Sequence, residues 1–262
     1  IDEFELKESN VKIDIKINTD LKDFFNISNN YKKKKYSNYS WISICKKIKK
    51  EKFINNWKLV SKKDSKINPY YFFHKLSDLV KKDCIIFNDT GANLCWTMLC
   101  FKIKYKQRLI SSFGHSPMGY SISAGIGARY AEKKKQIISI IGDGSFILSV
   151  HDLQFLKYHK INLKIIVIDN QSLGNTRLGS KNIFNGRTFG NEKKYGYYPP
   201  DVKKISKAFN IKYFNLDNNL KIDKNVNRFL KAADNAILHV KVLPEYDVVD
   251  HTQKYLKSTY QF

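Results

Sequence analysis

The stretch IIGDGSFILSVHDLQFLKYHKINLKIIVIDNQSLG, residues 140–174, decides the fold. It holds the end of one short apolar run (137–141) and the whole of another (163–168). The first stops at Gly142-Asp143-Gly144, the second at Asp169-Asn170. Continuous apolar runs bounded by such turn residues read as strands buried on both faces. The segment between them, 149–159, has helical periodicity.

Outward from this unit the alternation persists. Residues 69–82 read as a helix, 84–87 as a strand ending in NDTGAN, 94–101 as a helix and 109–112 as extended. A helix over 121–133 carries Ala124, Gly125, Gly127 and Ala128, small enough for close packing. Helices at 200–209 and 224–235 alternate with strands at 211–216 and 237–242. The expected fold is α/β, a parallel sheet with helices on both faces. Ligands of such sheets sit beyond the carboxyl ends of the strands, so NDTGAN, GDGS and DNQS should converge on one rim.

Upstream, VKIDIKINTDLKDFF (11–25) alternates like a strand through Ile17 and turns helical after the cap Asp20. The polar segment 28–40 reads as a linker. A helical pattern follows through Trp41, Ile44, Ile48, Phe53 and Trp57, with a break near 61–65. The expected organisation is 1–26, 27–66 (linker and helix) and 67–262.

The net charge of +23 suggests nucleic acid, but only Arg108, Arg129, Arg177, Arg187 and Arg228 are arginines. The rest is lysine scattered among Asn, Ile and Tyr, which reads as ordinary solvated surface with no basic stripe. No run approaches the roughly 18 apolar residues that cross a bilayer, and IDEFELKESN has no secretory pattern. The expectation is a cytoplasmic protein that engages neither nucleic acid nor membrane. Cys45, Cys84, Cys95 and Cys100 have no metal spacing. The last three, in apolar surroundings, read as buried free thiols.

Asp143 and Asn170 lie 27 positions apart, room for a strand end, a helix and the next strand end. A right-handed crossover puts them on the same edge of neighbouring strands. A carboxylate, an amide oxygen and a backbone carbonyl after Asn170 are half of a hard-cation site, which Mg²⁺ completes with phosphate oxygens and water. Gly142 and Gly144 let a phosphate approach the backbone, and amides opening the helix after Ser145 favour its charge. Taken alone, the two glycines fit a tight strand–helix turn equally well.

These residues carry a resemblance. GDGS, 23 residues and then DN resemble the signature of thiamine-diphosphate enzymes, GDG followed by about two dozen residues and NN. SPMGYSISAGIGARYA (116–131) is similar to a segment of the acetolactate synthase and pyruvate decarboxylase superfamily. NDTGANLCW resembles that family's earlier diphosphate loop, DVKKISKAFNIKYFNL the elements after its active-site loop, and residues 1–25 the close of its central domain.

The resemblance implies that Asp143, the Asn170 side chain and the Ser172 carbonyl hold Mg²⁺. It places thiamine diphosphate against Gly91, Ala92, Asn93, Gly142, Gly144, Ser145, Asn170, Ser172, Leu173 and Gly174. Met118 would prop the bent cofactor, and the Ser116 carbonyl would accept from its amino group. The implied substrate is a 2-keto acid, decarboxylated or ligated. The implied assembly is a dimer or tetramer of identical chains with the site shared between subunits. No catalytic residue lies in this chain: the activating glutamate would sit in an N-terminal domain of a longer protein. A flavin (FAD) has no visible signature here and would belong to that upstream region.

Three departures stand out. Asp169 replaces the first asparagine of the NN pair, and Ser116 stands where glycine is common. The loop SLGNTRLGSKNIFNGRTFG puts Asn175 and Thr176 where acetolactate synthases have an apolar pair, and Gly179 where they have tryptophan. That loop looks more like acetolactate-synthase-like proteins of surface-polysaccharide or unusual-sugar pathways. His115 reads as structural, and Trp96 and Tyr195–Tyr198 as packing or loop-anchoring aromatics. Arg177 reads as an exposed helix-start residue or, alternatively, a contact for a substrate carboxylate. The rival readings are a non-catalytic homologue, a basic nucleic-acid-binding protein and, from GIGARYA (125–131), a dinucleotide-binding dehydrogenase.

Overall fold

The computed structural model describes residues 14–31, 38–48, 65–184, 187–244, 246 and 248. Contacts divide the chain into two units, Ile1–Lys47 and Ile48–Phe262. In the first, helices α1 (Leu21–Asn30) and α2 (Tyr39–Ile48) are described. Asp20 caps α1 as expected, its side chain accepting from the Lys22 N–H. The strand expected through Ile17 is absent over residues 14–17. An alternating sequence makes a strand only where a neighbour pairs its backbone, and no described residue of this unit does so. Helix α1 also runs through Ser28–Asn30, into the stretch expected to be linker. The central-domain strand before residue 14 and the helical pattern through Phe53 and Trp57 fall outside the described residues.

The second unit is built on six parallel strands: β1 (Ile85–Asn88), β2 (Arg108–Ile110), β3 (Ile137–Gly142), β4 (Lys164–Asp169), β5 (Lys212–Leu216) and β6 (Ala236–Lys241). Their order is β2-β1-β3-β4-β6-β5. Every residue of β1 and β4 is buried, because successive side chains enter two separate cores. Ile86, Ile138, Ile140, Ile166 and Ile168 pack with helices α3 (Pro69–Leu79), α4 (Ala92–Cys100) and α10 (Ile222–Leu230). Ile85, Ile137, Ile141, Ile165 and Val167 pack with α5 (Tyr120–Ala131), α6 (Asp143–Leu148), α7 (His151–Tyr158) and α9 (Val202–Ala208). The expected α/β architecture is therefore present. It includes a helix whose start the reading of Arg177 implied but whose extent was not given, α8 (Gly174–Ile183).

Only one glycine of α5 serves close packing. A Cβ on Gly125 would lie 2.4 Å from Ser139 Oγ and 2.9 Å from Leu163 Cδ1, whereas Gly127 has open space around it. Gly125→Ala should therefore destabilise by about 1–3 kcal/mol from overpacking. Gly127→Ala should stabilise by up to about 1 kcal/mol through helix propensity. Denaturant unfolding of the two variants checks this, and equal effects would contradict it.

Cys84 and Cys100 are buried, Cys95 is half-buried and all four thiols are free. Burial pushes Cys84 up to about 11 and Cys100 to about 12, so both stay protonated.

Candidate functional site

From β1 the chain passes out to β2 on one side, then returns to β3 on the other. The carboxyl ends of β1 and β3 thus flank a topological switch point, where α/β sheets bind ligands. A cleft of about 110 Å³ opens there. Three strand ends and the start of α5 shape it.

At the end of β1, Asn88 donates to Thr97 and accepts from Asn93 Nδ2 (2.7 Å), which also donates to the Asp89 carbonyl (2.9 Å). Both amide protons of Asn93 are committed, so of its side chain only Oδ1, which lies beside Gly91 and Gly142, is left to face a ligand. Gly91 adopts φ +110°, open to glycine, and starts α4. Fully buried Asp89 accepts from the N–H groups of Gly119 (3.1 Å) and Ser121 (2.9 Å). A carboxylate there satisfies the donors that open α5.

Gly119, at φ +90°, lets α5 begin immediately after Met118. Met118 is 40% exposed and lines the cleft, so it is not core filler. Ser116 takes φ +45°, which explains why glycine suits that place; the residue is exposed and outside the cleft wall. His115 is likewise exposed and away from the cleft.

β3 delivers Gly142 and then Asp143, the first residue of α6. Asp143 is 2% exposed. Its Oδ1 accepts from the Gly144 N–H (3.0 Å), and its Oδ2 has no hydrogen-bond partner. Burial first, and the nearby Asp169 charge second, push the Asp143 carboxyl up to about 8. Tyr197 comes close enough to feel this carboxylate, yet its buried hydroxyl closes no hydrogen bond. A side chain on Gly144 would meet Leu173 at 2.6 Å and the Tyr197 hydroxyl at 3.2 Å.

β4 ends in Asp169, after which Asn170 (5% exposed), Gln171 (φ +53°) and Ser172 (2% exposed) form a tight turn into α8. An antiparallel bridge from Ser172 to Glu192 ties this turn to the following loop. On Gly174 a Cβ would lie 3.0 Å from Asn170 Nδ2 and 3.2 Å from Ala92 Cβ. Three buried polar atoms, Asp143 Oδ2, Ser172 Oγ and Trp96 Nε1, lack partners, and their residues line one cleft with Asn170. The two oxygens, with the Asn170 side chain, fit a cation, and the Trp96 N–H, a donor only, suits an acceptor such as a diphosphate oxygen.

The cleft therefore gathers every residue expected at the rim except Ser116. Sequence reasoning gave no site role to Asp89, Thr90 or Ile168, read Trp96 and Tyr197 as packing or anchoring, and noted Asn175 and Thr176 only as loop departures; Thr90, Trp96, Ile168, Asn175 and Thr176 all line the wall. Arg177 is not the exposed residue expected. It is 3% exposed and paired with Glu192 (3.3 Å), because α8 packs under the loop that carries Glu192.

A family model described as "Thiamine pyrophosphate enzyme, C-terminal TPP binding domain" matches residues 89–240. The chain belongs to this family. The thiamine-pyrophosphate-binding domain so defined begins at Asp89 and ends within β6, enclosing all of the cleft.

The domain is similar to the acetolactate synthase large subunit of Lactococcus lactis subsp. lactis (strain IL1403), 30% identical over 152 residues, 58% of this chain and 26% of that protein. It is 26% identical over 204 residues to the acetolactate synthase isozyme 2 large subunit of Escherichia coli (strain K12), 78% of this chain and 36% of the relative. To the acetolactate synthase large subunit of Pyropia yezoensis it is 31% identical over 170 residues, 63% of this chain and 28% of the relative. The matches thus span 26–36% of these relatives' length. The expected superfamily, thiamine-pyrophosphate-dependent and acetolactate synthase-like, is the one found. No helix among the described residues is long and apolar enough to cross a membrane.

Proposed function

We propose that the cleft binds thiamine diphosphate (thiamine pyrophosphate) through Mg²⁺, in an enzyme that acts on a 2-keto acid by decarboxylation or carboligation. The observation that carries this reading is Asp143: a buried carboxylate with an unpartnered oxygen, facing the cleft it shares with Asn170 and Ser172. Burial keeps this carboxyl protonated, and a cation beside it would supply the charge that lets it ionise. Asp143, the Asn170 side chain and the Ser172 carbonyl would hold it, with the helix starts at Ala92 and Gly144 beside the diphosphate. Bound there, the cofactor supplies a nucleophilic carbon and an electron sink.

Met118, at the mouth of the cleft, would prop the cofactor, and the carbonyl of Ser116, a residue off the cleft wall, would accept from its amino group. Residues 1–26 form the end of a central domain, an upstream domain supplies the activating glutamate, and a second copy of the chain completes the site. The protein works in the cytoplasm.

Asn175 and Thr176 give the cleft a polar wall where acetolactate synthases have an apolar pair. That difference favours a substrate more polar than theirs, such as a sugar-derived keto acid. A panel of 2-keto acids assayed for CO₂ release by the full-length protein tests the reading. Turnover should occur on at least one member and fall by at least about tenfold in Asn170→Ala, as loss of metal-site groups generally costs. Cofactor binding with no turnover on any member would favour a non-catalytic homologue.

A further inference from the structure

Asp169 departs from the amide usual at its position, and the structure gives it a dedicated partner. Asp169 Oδ2 lies 2.8 Å from His239 Nε2, and His239 Nδ1 lies 2.9 Å from the Tyr213 hydroxyl. That hydroxyl is 3.3 Å from Asn215 Oδ1, and Asn215 Nδ2 donates to Asp217 (2.9 Å). The chain of groups crosses three neighbouring strands. Register pairs Val167 with His239 and His239 with Asn215, which places Asp169, His239 and Tyr213 on one face of β4, β6 and β5. Asp169 and His239 are 7% and 6% exposed. A polar ladder at that depth persists only when every member is satisfied.

The chemistry fixes the proton at the Asp169 end. A carboxylate only accepts, so His239 presents its Nε2–H to Asp169, while the single phenolic proton of Tyr213 goes either to His239 Nδ1 or to Asn215 Oδ1. Asp169 Oδ1 meanwhile accepts from the Gln171 N–H (3.2 Å). This second bond closes the turn that holds Gln171 at φ +53°, with Asn170 before it and Ser172 after it.

We propose that His239 is a positioning residue: by gripping one oxygen of Asp169 it aims the other at Gln171 and so fixes the loop that presents Asn170 and Ser172 to the cleft. The inference rests on the cation-site reading of that loop. Asparagine at 169 could hold the same turn without a partner, since an amide oxygen beside Gln171 needs no second donor to place it. The histidine is the device that lets a carboxylate serve there.

The test uses the full-length protein, titrated with thiamine diphosphate in Mg²⁺, together with nitrogen NMR of His239 in the cofactor-free state. The cofactor-free spectrum should show the Nε2–H tautomer. His239→Phe should weaken Mg²⁺-supported binding about tenfold or more, the range typical of groups that orient metal ligands. His239→Gln, which can donate to Asp169 and accept from Tyr213, should restore most of it. In an Asp169→Asn background His239→Phe should cost less than about threefold, because the turn no longer needs the grip. If His239→Phe does not fold, His239→Asn, too short to span the gap, takes its place.

Equal losses in both backgrounds, or an Nδ1–H tautomer, would overturn the proposal. A wild-type protein that binds no cofactor would instead overturn the cation-site reading, while the tautomer still reports on the His239–Asp169 grip.

Discussion

Asp143→Asn should melt at a higher temperature than wild type at pH 8 in the cofactor-free state, and should lose Mg²⁺-dependent cofactor binding by on the order of 100-fold or more. Both halves come from one environment. The Asp143 carboxyl is buried beside Asp169, and its pKa is raised from 3.8 to about 8. In the unfolded chain the proton leaves near 3.8; in the folded protein it is kept until about 8. Stability from the neutral carboxyl is whole below 3.8 and is lost as pH rises through about 8.

Asparagine does not titrate, so its advantage should grow across that interval and level off above it. A buried amide beside Asp169 also exchanges repulsion for attraction. Each kcal/mol recovered raises the midpoint by about 2–4 °C for a domain of this size. Thermal unfolding from pH 4 to pH 9 reads the first half and calorimetric titration the second. A variant less stable than wild type at pH 8 would contradict the electrostatic account of the site.

Asp89→Ala should be the most damaging single change at the rim. It leaves the N–H groups of Gly119 and Ser121 without their acceptor at the start of α5. An unsatisfied buried donor costs about 1–3 kcal/mol, so the pair should cost about 2–6 kcal/mol. Gly119 then has no reason to hold φ +90°, and Met118 before it loses its place at the mouth. Asp89→Asn retains one acceptor oxygen and should cost about half as much. Denaturant unfolding of both variants checks the ordering. A neutral Asp89→Ala would mean that α5 opens without this carboxylate.

Strands and the principal loops were legible in the sequence because they depend on local pattern. Continuous apolar runs at β1, β3, β4 and β6 announce strands buried on both faces, and the polar residues that stop them mark the rim. Of helix α8 only a start near Arg177 was legible, not its extent. Gly174, Asn175 and Gly179 give it no apolar stripe, and it is held instead by Arg177 pairing with Glu192 and by Leu173 bonding to Asn191. Residues 14–17 show the reverse case, alternation without a partner strand.

At the site, the residues that face the ligand cleft follow from motif spacing, while those that hold them in place do not. Asp89 reaches donors 30 and 32 positions away, and Asp169 finds His239 70 positions away. Nothing in NDTGAN or in AILHVK signals those partners, because only the strand order brings them together.

The central claim is that a metal ion at Asp143 and Asn170 anchors thiamine diphosphate in this cleft. Calorimetric titration of the full-length protein with thiamine diphosphate, once in Mg²⁺ and once in EDTA, tests it most directly. The account predicts saturable binding in Mg²⁺, none in EDTA, and recovery when Mg²⁺ is restored in excess. Binding of equal strength in both solutions would contradict it.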